Sequence, residues 1–398
     1  MSGTETEQLK VDLTANDFAF IGSNIWFIAN ELPYLICADI MTGEIKKKIF
    51  LDVNSGAYRD FYFKIVNLGN SIVGIPYWAE KYLFYDIIKG TIDYFDVPKN
   101  LIDDKGLGFY ATMQINSSKF CSFNRYYKSY VLNLDIDTRE VYARFISDSL
   151  CPDENVEQYG GFRRASVKSN DCFYVLSVNK NHVLQYNLTT EEMKSFPLLQ
   201  ESDRFTSIEC IDEQKDLFIL SNNSRQFVLW DMKANKTKVI PIDVAGFEDD
   251  LQNNAEVFHE SFAFGKKIYN KVYFFPVLAN MILEFDINNF KIKEVFNSAK
   301  YEYKKGQYLI LNSVYGSDQF SEPTVYNDCL YTWNKWLKYL LKINPITGEL
   351  ERIKFSLEIS QDEFDLFYSN SLKIHNPIFE RNDEIFGLSG FVRYCDTL

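Results

Sequence analysis

Short apolar runs alternate with brief polar interruptions over almost the whole chain, and one arrangement of them recurs. An apolar run ends at an Asp or Asn, a tight polar turn follows, and a second run alternates apolar with charged residues. Alternation with a period of two residues predicts β-strands rather than helices. The Asp or Asn, which we call the corner residue, recurs every 44 to 58 residues, at Asp39, Asp86, Asp135, Asn187, Asp231, Asp286 and Asn344. Such regular recurrence predicts a repeat fold.

The corner residues are of the type that opens a tight turn between two strands. The short side chain of Asp or Asn accepts hydrogen bonds from backbone N–H groups that follow it in the turn. Gly43, Gly90 and Gly348 stand four residues after their corners, where the turn requires a positive φ. Two further strand-like runs precede each run that ends at a corner, so every unit holds four strands. Four antiparallel strands per repeat of this length are typical of a β-propeller blade.

The number of blades depends on how the two ends of the chain are interpreted. After the seventh corner, residues 372–398 contain three more strand-like runs and place Asp396 in a corner position, but an outermost strand is missing. Residues 4–13 alternate in the same way as the outermost strands of other units. We therefore predict an all-β, eight-bladed propeller in which the N-terminal strand completes the C-terminal blade, because such pairing removes open strand edges. Seven blades with an accessory C-terminal segment are the alternative.

A repeat fold of this kind keeps 398 residues in one domain, because small cores are added side by side. We expect a single propeller over residues 1–398, with residues 1–14 as the closing strand. The predicted blades 1 to 7 are 15–52, 53–98, 99–147, 148–199, 200–244, 245–298 and 299–358. Residues 359–398 are predicted to supply the three remaining strands of blade 8.

This repeat pattern resembles that of the Kelch-like and WD40-like propeller proteins over essentially the whole chain. Kelch repeats carry a Gly-Gly pair in every blade, whereas Gly160-Gly161 is the only such pair here. WD40 repeats carry Gly-His and Trp-Asp, whereas Trp230-Asp231 is the only Trp-Asp pair and Gly-His is absent. The resemblance implies the propeller fold, but the side-chain networks of these families cannot be carried over to this chain. Because propellers have many functions, the fold does not indicate which function this chain has.

The loops between second and third strands differ most from unit to unit. They carry more basic than acidic residues, although the chain has 42 basic and 55 acidic side chains and a formal charge of -13. Trp, Tyr and Arg are enriched at protein interfaces, and we expect a peptide or protein to bind this loop face. The candidate residues are Trp78, Lys81, Tyr82, Arg125, Tyr126, Tyr127, Lys335 and Trp336. Solvated loop ends and aromatic caps on the blade cores explain the same residues without a ligand.

A second set of candidates stands where the first strands of three units begin. An aromatic residue is followed by Arg59-Asp60, Arg163-Arg164 or His259-Glu260. Aligned blades place these pairs around the mouth of the central channel, so Arg59, Arg163 and Arg164 are candidate ligand contacts. Asp60, His259 and Glu260 are the candidates for acid–base catalysis. Salt links between blades explain these pairs equally well.

Motifs for catalysis or metal binding are missing from the chain. It contains no nucleophile elbow, no phosphate-binding glycine loop and no CxxC pair among its 7 Cys, and its 3 His are far apart. We therefore expect a non-catalytic scaffold without cofactor or metal. The alternative is a channel-mouth enzyme or a glycan-binding protein that acts on a small polar substrate.

The charge and the ends of the chain exclude several partners and locations. A net negative chain repels nucleic acids and anionic membrane surfaces. The opening residues lack the apolar core of a signal peptide, and the longest apolar stretch, 272–285, is too short to span a bilayer. We expect a soluble cytoplasmic protein with a protein or peptide partner, with no nucleic acid and no membrane.

Overall fold

The structure is a computed structural model. It describes residues 8–30, 32–51, 62–76, 79, 81–98, 109–124, 130–146, 162–177, 182–198, 205–222, 225–249, 261–298 and 319–363. Within these ranges the chain forms seven four-stranded antiparallel sheets and one two-stranded sheet. Strands follow one another in sequence order within each four-stranded sheet, so each sheet is one propeller blade.

The strands of the first four blades have the following bounds. Blade 1 contains β2 (Phe18–Ile21), β3 (Asn24–Ile28), β4 (Tyr34–Asp39) and β5 (Ile45–Phe50). Blade 2 contains β6 (Tyr62–Asn67), β7 (Ser71–Pro76), β8 (Lys81–Asp86) and β9 (Thr91–Asp96). Blade 3 contains β10 (Phe109–Gln114), β11 (Lys119–Asn124), β12 (Tyr130–Asp135) and β13 (Glu140–Phe145). Blade 4 contains β14 (Phe162–Ser169), β15 (Cys172–Ser177), β16 (His182–Asn187) and β17 (Met193–Pro197).

Three more blades and one strand pair complete the described fold. Blade 5 contains β18 (Phe205–Asp212), β19 (Leu217–Asn222), β20 (Gln226–Asp231) and β21 (Lys236–Pro241). Blade 6 contains β22 (Phe262–Ile268), β23 (Lys271–Pro276), β24 (Met281–Asp286) and β25 (Ile292–Asn297). Blade 7 contains β26 (Thr324–Tyr326), β27 (Cys329–Asn334), β28 (Tyr339–Ile343) and β29 (Leu350–Ile353). The pair consists of β1 (Gln8–Asp12) and β30 (Ser356–Ser360).

The corner turns have the predicted geometry. At each of the seven corners a side-chain oxygen accepts a hydrogen bond from a backbone N–H two or three residues later. In blade 1 the Oδ1 of Asp39 accepts from the N–H groups of Met41 and Thr42 at 2.8 and 3.1 Å. Gly43 follows with a φ of 73°, in the left-handed region that only glycine adopts without strain.

The hydrophobic core of the described fold is divided into seven clusters, one in each seam between neighbouring blades. The seam between blades 7 and 1 contains Trp333, whose ring centroid is 4.7 Å from that of Phe27. The indole N–H of Trp333 donates to the carbonyl of Leu13 at 3.2 Å. In the same seam the rings of Phe20 and Tyr326 stack at 4.3 Å.

Direct packing of blade 7 on blade 1 corrects the predicted number of blades. An eighth blade would have to lie in this seam, and the seam is already closed by contacts between the two blades. The prediction of eight blades was therefore wrong, and the alternative of seven is confirmed. The mistake arose because a corner-like sequence at Asp396 was counted as a blade. Of residues 359–398, which were assigned to that blade, 364–398 lie outside the described residues.

The N-terminal strand lies against a different partner from the predicted one. β1 pairs antiparallel with β30, from Gln8 opposite Ser360 to Asp12 opposite Ser356. Leu9 and Val11 pack against the cluster of the seam between blades 7 and 1, to which Ile359 also belongs. Blades 7 and 1 already have four strands each, so the β1–β30 pair is a separate sheet. It packs against the seam between these two blades, where the ring closes.

Candidate functional site

The residues predicted for the loop face fall into two groups. Trp78, Arg125, Tyr126 and Tyr127 lie outside the described residues. The remaining four, which are Lys81, Tyr82, Lys335 and Trp336, are described below.

Two of the four are core residues rather than exposed anchors. Tyr82 belongs to β8 and is 1% exposed, because it lies in the apolar cluster between blades 2 and 3. Trp336 is also buried, at 4% exposure. The expectation that these two rings serve as exposed anchors is corrected, and for Tyr82 the reason is that β8 already begins at Lys81.

The two lysines of the loop face already have partners. The ammonium of Lys81 lies 3.2 Å from Asp96 Oδ1, across the pair β8–β9. The Nζ of Lys335 donates to Asn16 Oδ1 at 3.3 Å. Exposed ion pairs of the first kind contribute about 0–1 kcal/mol, so Lys81 is held only weakly.

The candidates at the channel mouth are mostly outside the described part of the chain. Arg59, Asp60, His259 and Glu260 belong to that group, so the three catalytic candidates have no described geometry. Arg163 lies in β14 and is buried, at 6% exposure. Arg164 follows it in the same strand.

A charged cluster that the sequence did not suggest lies where blades 7, 1 and 2 meet the central channel. The Nζ of Lys64, in β6, lies 2.6 Å from Glu322 Oε2 and 3.9 Å from Asp17 Oδ2. The same oxygen of Asp17 accepts a hydrogen bond from the N–H of Ile65 at 2.8 Å. Glu322 precedes the first strand of blade 7 and Asp17 precedes that of blade 1. One lysine therefore links three blades at the closing point of the ring.

Burial determines the electrostatics of this cluster. Asp17 is 5% exposed, and burial raises its pKa to about 6 against the opposing effect of the Lys64 ammonium. Burial lowers the pKa of Lys64, but the carboxylates of Asp17 and Glu322 outweigh this effect and leave that pKa raised. The charged state of the lysine is thus stabilised by its two partners, and its single ammonium balances part of their negative charge inside the ring.

The residues of blades 3 to 6, together with Glu322 of the charged cluster, line a cavity of about 270 Å³. Its charged lining consists of Lys168 from β14, Glu209 from β18, Lys266 and Lys267 from β22, and Glu322. Val167, Ile208 and Phe264 contribute apolar walls. The cavity is therefore a mixed site with more ammonium groups than carboxylates.

Two of the charged side chains in the cavity, Glu209 and Lys267, form hydrogen bonds with backbone groups. Burial raises the pKa of Glu209 to about 6, opposed mainly by Lys266, and its Oε1 accepts from the N–H of Cys210 at 3.0 Å. The Nζ of Lys267 donates to the carbonyl of Ile211 at 2.7 Å. Lys168 and Lys266 have no ion pair or hydrogen bond to any residue within the described ranges.

The corner face of the ring carries a third feature. Two residues after the corner, blades 7, 1 and 2 expose Ile346, Met41 and Ile88, with 74, 69 and 74% of each residue accessible. The equivalent residues of blades 3 to 6 are all polar or charged: Asp137, Thr189, Lys233 and Asn288. The three apolar residues, which we call the apolar corner row, stand on adjacent blades because blade 7 packs on blade 1.

The apolar corner row can be recognised from the sequence alone when the seven corners are aligned. Aligned corner residues place Ile346, Met41 and Ile88 in one column, whereas nothing in the sequence links Asp17, Lys64 and Glu322. Within the described residues, no group of three or more His, Cys, Asp and Glu is arranged to hold a metal ion. No helix in the described ranges is long and apolar enough to cross a bilayer.

Comparison with known proteins gives a fold and no family. No family model matches the chain, and no curated protein sequence matches it. The chain is similar to Sqt1 from Saccharomyces cerevisiae, with a TM-score of 0.51 and 9% identity over 87% of this chain and 86% of that chain. It is similar to KlHsv2 with loop 6CD replaced by a Gly-Ser linker, with a TM-score of 0.50 and 7% identity over 87% of this chain and 98% of that chain.

A further similar structure is BamB from Moraxella catarrhalis, with a TM-score of 0.49 and 12% identity over 81% of this chain and 82% of that chain. Identities this low show a common fold alone. The seven four-stranded sheets make the chain a β-propeller, in agreement with the repeat class predicted from its sequence.

Proposed function

We propose that this propeller is a non-catalytic scaffold that docks a partner protein on the apolar corner row. The observation that supports it is the exposure of Ile346, Met41 and Ile88 at equivalent positions of three adjacent blades. Single exposed apolar residues are common on protein surfaces and need no explanation. Three of them in one repeat position, confined to one side of the ring, form an ordered set of anchors.

The turns that carry these anchors are rigid, which favours binding. Each corner is fixed by its Asp or Asn, and Ile346 and Ile88 donate their own N–H groups to the corner side chains at 2.9 and 3.0 Å. The corner of blade 1 is also packed closely against the chain after β29, because a Cβ on Gly43 would lie 2.5 Å from the carbonyl oxygen of Lys354. Preorganised anchors lose little conformational freedom when a partner binds.

Site-specific photo-crosslinking tests this proposal. A photoreactive amino acid is placed singly at positions 346, 41 and 88, and at the matched polar positions 137, 189, 233 and 288. We expect one and the same protein to be crosslinked from the first three positions and not from the other four. Equal crosslinking from all seven corners, or none above background, would contradict the apolar corner row.

The loop face predicted from the sequence stays a prediction, and the same experiment tests it. Photoreactive residues at positions 81 and 335 report on that face. Crosslinks from these two positions, with none from the apolar corner row, would move the docking surface to the loop face and overturn our choice. The cytoplasmic location also stays a prediction.

With the partner identified, the triple variant Met41→Ser, Ile88→Ser, Ile346→Ser measures the contribution of the row. Buried interface anchors each contribute roughly 1 kcal/mol or more, so we expect Kd to rise at least about tenfold. The matched control is Thr189→Ser with Asn288→Ser, which changes the same corner position on the other side of the ring.

A further inference from the structure

The charged residues on the innermost strands are unevenly distributed around the channel. Around blades 7, 1 and 2, Lys64 lies between the carboxylates of Glu322 and Asp17, so cation and anions are in contact. Among the described residues of blades 4, 5 and 6 that line the cavity, three lysines meet a single carboxylate, Glu209. The second side therefore has a local excess of positive charge in a chain whose formal charge is -13.

This excess is placed in the cavity of about 270 Å³, where Glu209 balances only part of it among the described residues. Glu322 also lines the cavity, but its carboxylate is engaged by Lys64 at 2.6 Å. Lys267 donates to a backbone carbonyl, which leaves its charge in place. Lys168 on blade 4 and Lys266 on blade 6 flank Glu209 on blade 5, and neither forms an ion pair with another described residue.

We propose that this cavity, with Lys168 and Lys266 as its main contacts, binds a small organic dianion. Two ammonium groups on separate blades match a ligand with an acidic group at each end, and each contact is a charge-assisted hydrogen bond. The apolar walls of Val167, Ile208 and Phe264 accommodate a short carbon skeleton between these ends. This site is distinct from the apolar corner row, and the inference does not depend on the proposed scaffold function.

The size and position of the cavity restrict the class of ligand. A volume of about 270 Å³ is slightly below the range of about 300–1,000 Å³ that is typical of small-molecule sites. A folded protein or a duplex does not enter such a space, whereas a dicarboxylate or a bisphosphorylated sugar of a few carbons does. Carboxylate and phosphate groups share the same recognition by ammonium groups, so the experiment has to separate these two sources.

Isothermal titration calorimetry of the full chain tests the proposal. The probes are succinate, citrate, fructose 1,6-bisphosphate and sulfate, each titrated into the wild type and into the double variant Lys168→Met, Lys266→Met. The matched control, Lys194→Met with Lys236→Met, removes the same charge from exposed positions on the outermost strands of blades 4 and 5. A third variant, Lys168→Arg with Lys266→Arg, keeps the charge.

We expect at least one organic dianion to bind the wild type with a Kd below about 1 mM, and the double Met variant to weaken binding at least about tenfold. The control and the Arg variant should bind within about threefold of the wild type. A preference for citrate or succinate assigns a carboxylate ligand, and a preference for the bisphosphate assigns a phosphorylated one.

Three outcomes would overturn the proposal. These are no binding of any probe by the wild type at 1 mM, an equal loss in the control variant, and unchanged binding in the double Met variant. Circular dichroism of each variant establishes that it is folded, and the Arg variant keeps the test valid if the Met variant does not fold.

Discussion

The two sides of the ring have the same backbone plan and different side-chain chemistry. Blades 7, 1 and 2 pair their channel charges with one another through Lys64 and expose the apolar corner row. Blades 4, 5 and 6 leave Lys168 and Lys266 without an ion pair among the described residues and carry polar residues at the equivalent corners. In a repeat fold, all blades meet the same packing requirements. Differences that are confined to one side and do not alter the core are therefore best attributed to binding.

The largest expected effect on stability comes from removing Lys64, the cation that Asp17 and Glu322 share. Lys64→Met leaves Asp17 and Glu322 without their cation, and loss of one partner of a buried ion pair costs roughly 3–5 kcal/mol of the free energy of unfolding. The same change on the other side, Lys168→Met, removes no ion pair and should cost less than about 0.5 kcal/mol. Urea denaturation of both variants measures the difference. Equal losses would contradict the described contrast in pairing.

The destabilisation by Lys64→Met should also depend on pH. Because the pKa of Asp17 is raised to about 6 in the fold from an ordinary value of 3.8, folding favours its protonated form. The stability that comes from this carboxyl is present at low pH and is lost as the pH rises through about 4 to 6. Without Lys64 the ionised carboxylate is less well compensated, so the loss relative to wild type should be larger at pH 8 than at pH 5. A loss that does not change with pH would exclude Asp17 as the cause.

A smaller effect is expected from Glu209, the carboxylate that lies between Lys168 and Lys266 in the cavity. Glu209→Gln keeps the acceptor for the N–H of Cys210 and removes a negative charge that lies beside Lys266 and Lys267. We expect the Gln variant to bind sulfate several-fold more tightly than the wild type at pH 8. Since burial raises the pKa of Glu209 to about 6, the wild type should approach the Gln variant at pH 5. Calorimetric titrations at both pH values provide the measurement, and weaker binding by the Gln variant would contradict the proposed charge balance.

The smallest effect on stability is expected at the apolar corner row. Ile346→Ser, Met41→Ser and Ile88→Ser should each change the free energy of unfolding by less than about 0.5 kcal/mol, because these side chains are exposed and absent from the core clusters. Thermal denaturation of the three variants, compared with Asn288→Ser, checks this. A loss above about 2 kcal/mol would assign the row to the fold instead of to a partner.

The architecture could be predicted well from the sequence because the same pattern of strands and turns recurs in every repeat. Each corner recurs with the same turn chemistry, and the hydrogen bonds of Asp39 and Asn344 are the ones expected from their residue types. The number of blades was harder to predict, because it depends on which blades touch. The contact between Trp333 and Phe27, which closes the ring, joins residues about three hundred positions apart and leaves no trace in the local sequence pattern.

The candidate sites were less predictable for a related reason. Tyr82 looked like a loop residue, but the register of β8 places it in a seam. The cluster of Asp17, Lys64 and Glu322 combines residues from three blades, and each of them alone resembles any other surface charge in the sequence. Burial shifts the pKa values of the charged groups in the channel, and these groups become buried only when the ring closes.

The central claim is that the two sides of the ring bind different partners independently. Its most direct test is to measure dianion affinity and partner crosslinking side by side in two variants. These are the triple Ser variant of the apolar corner row and the double Met variant of Lys168 and Lys266, with the photoreactive residue placed at the neighbouring position 42 in both. We predict that the Ser variant keeps the affinity for the dianion and loses the crosslink, and that the Met variant does the reverse. Loss of both activities in either variant would contradict the claim.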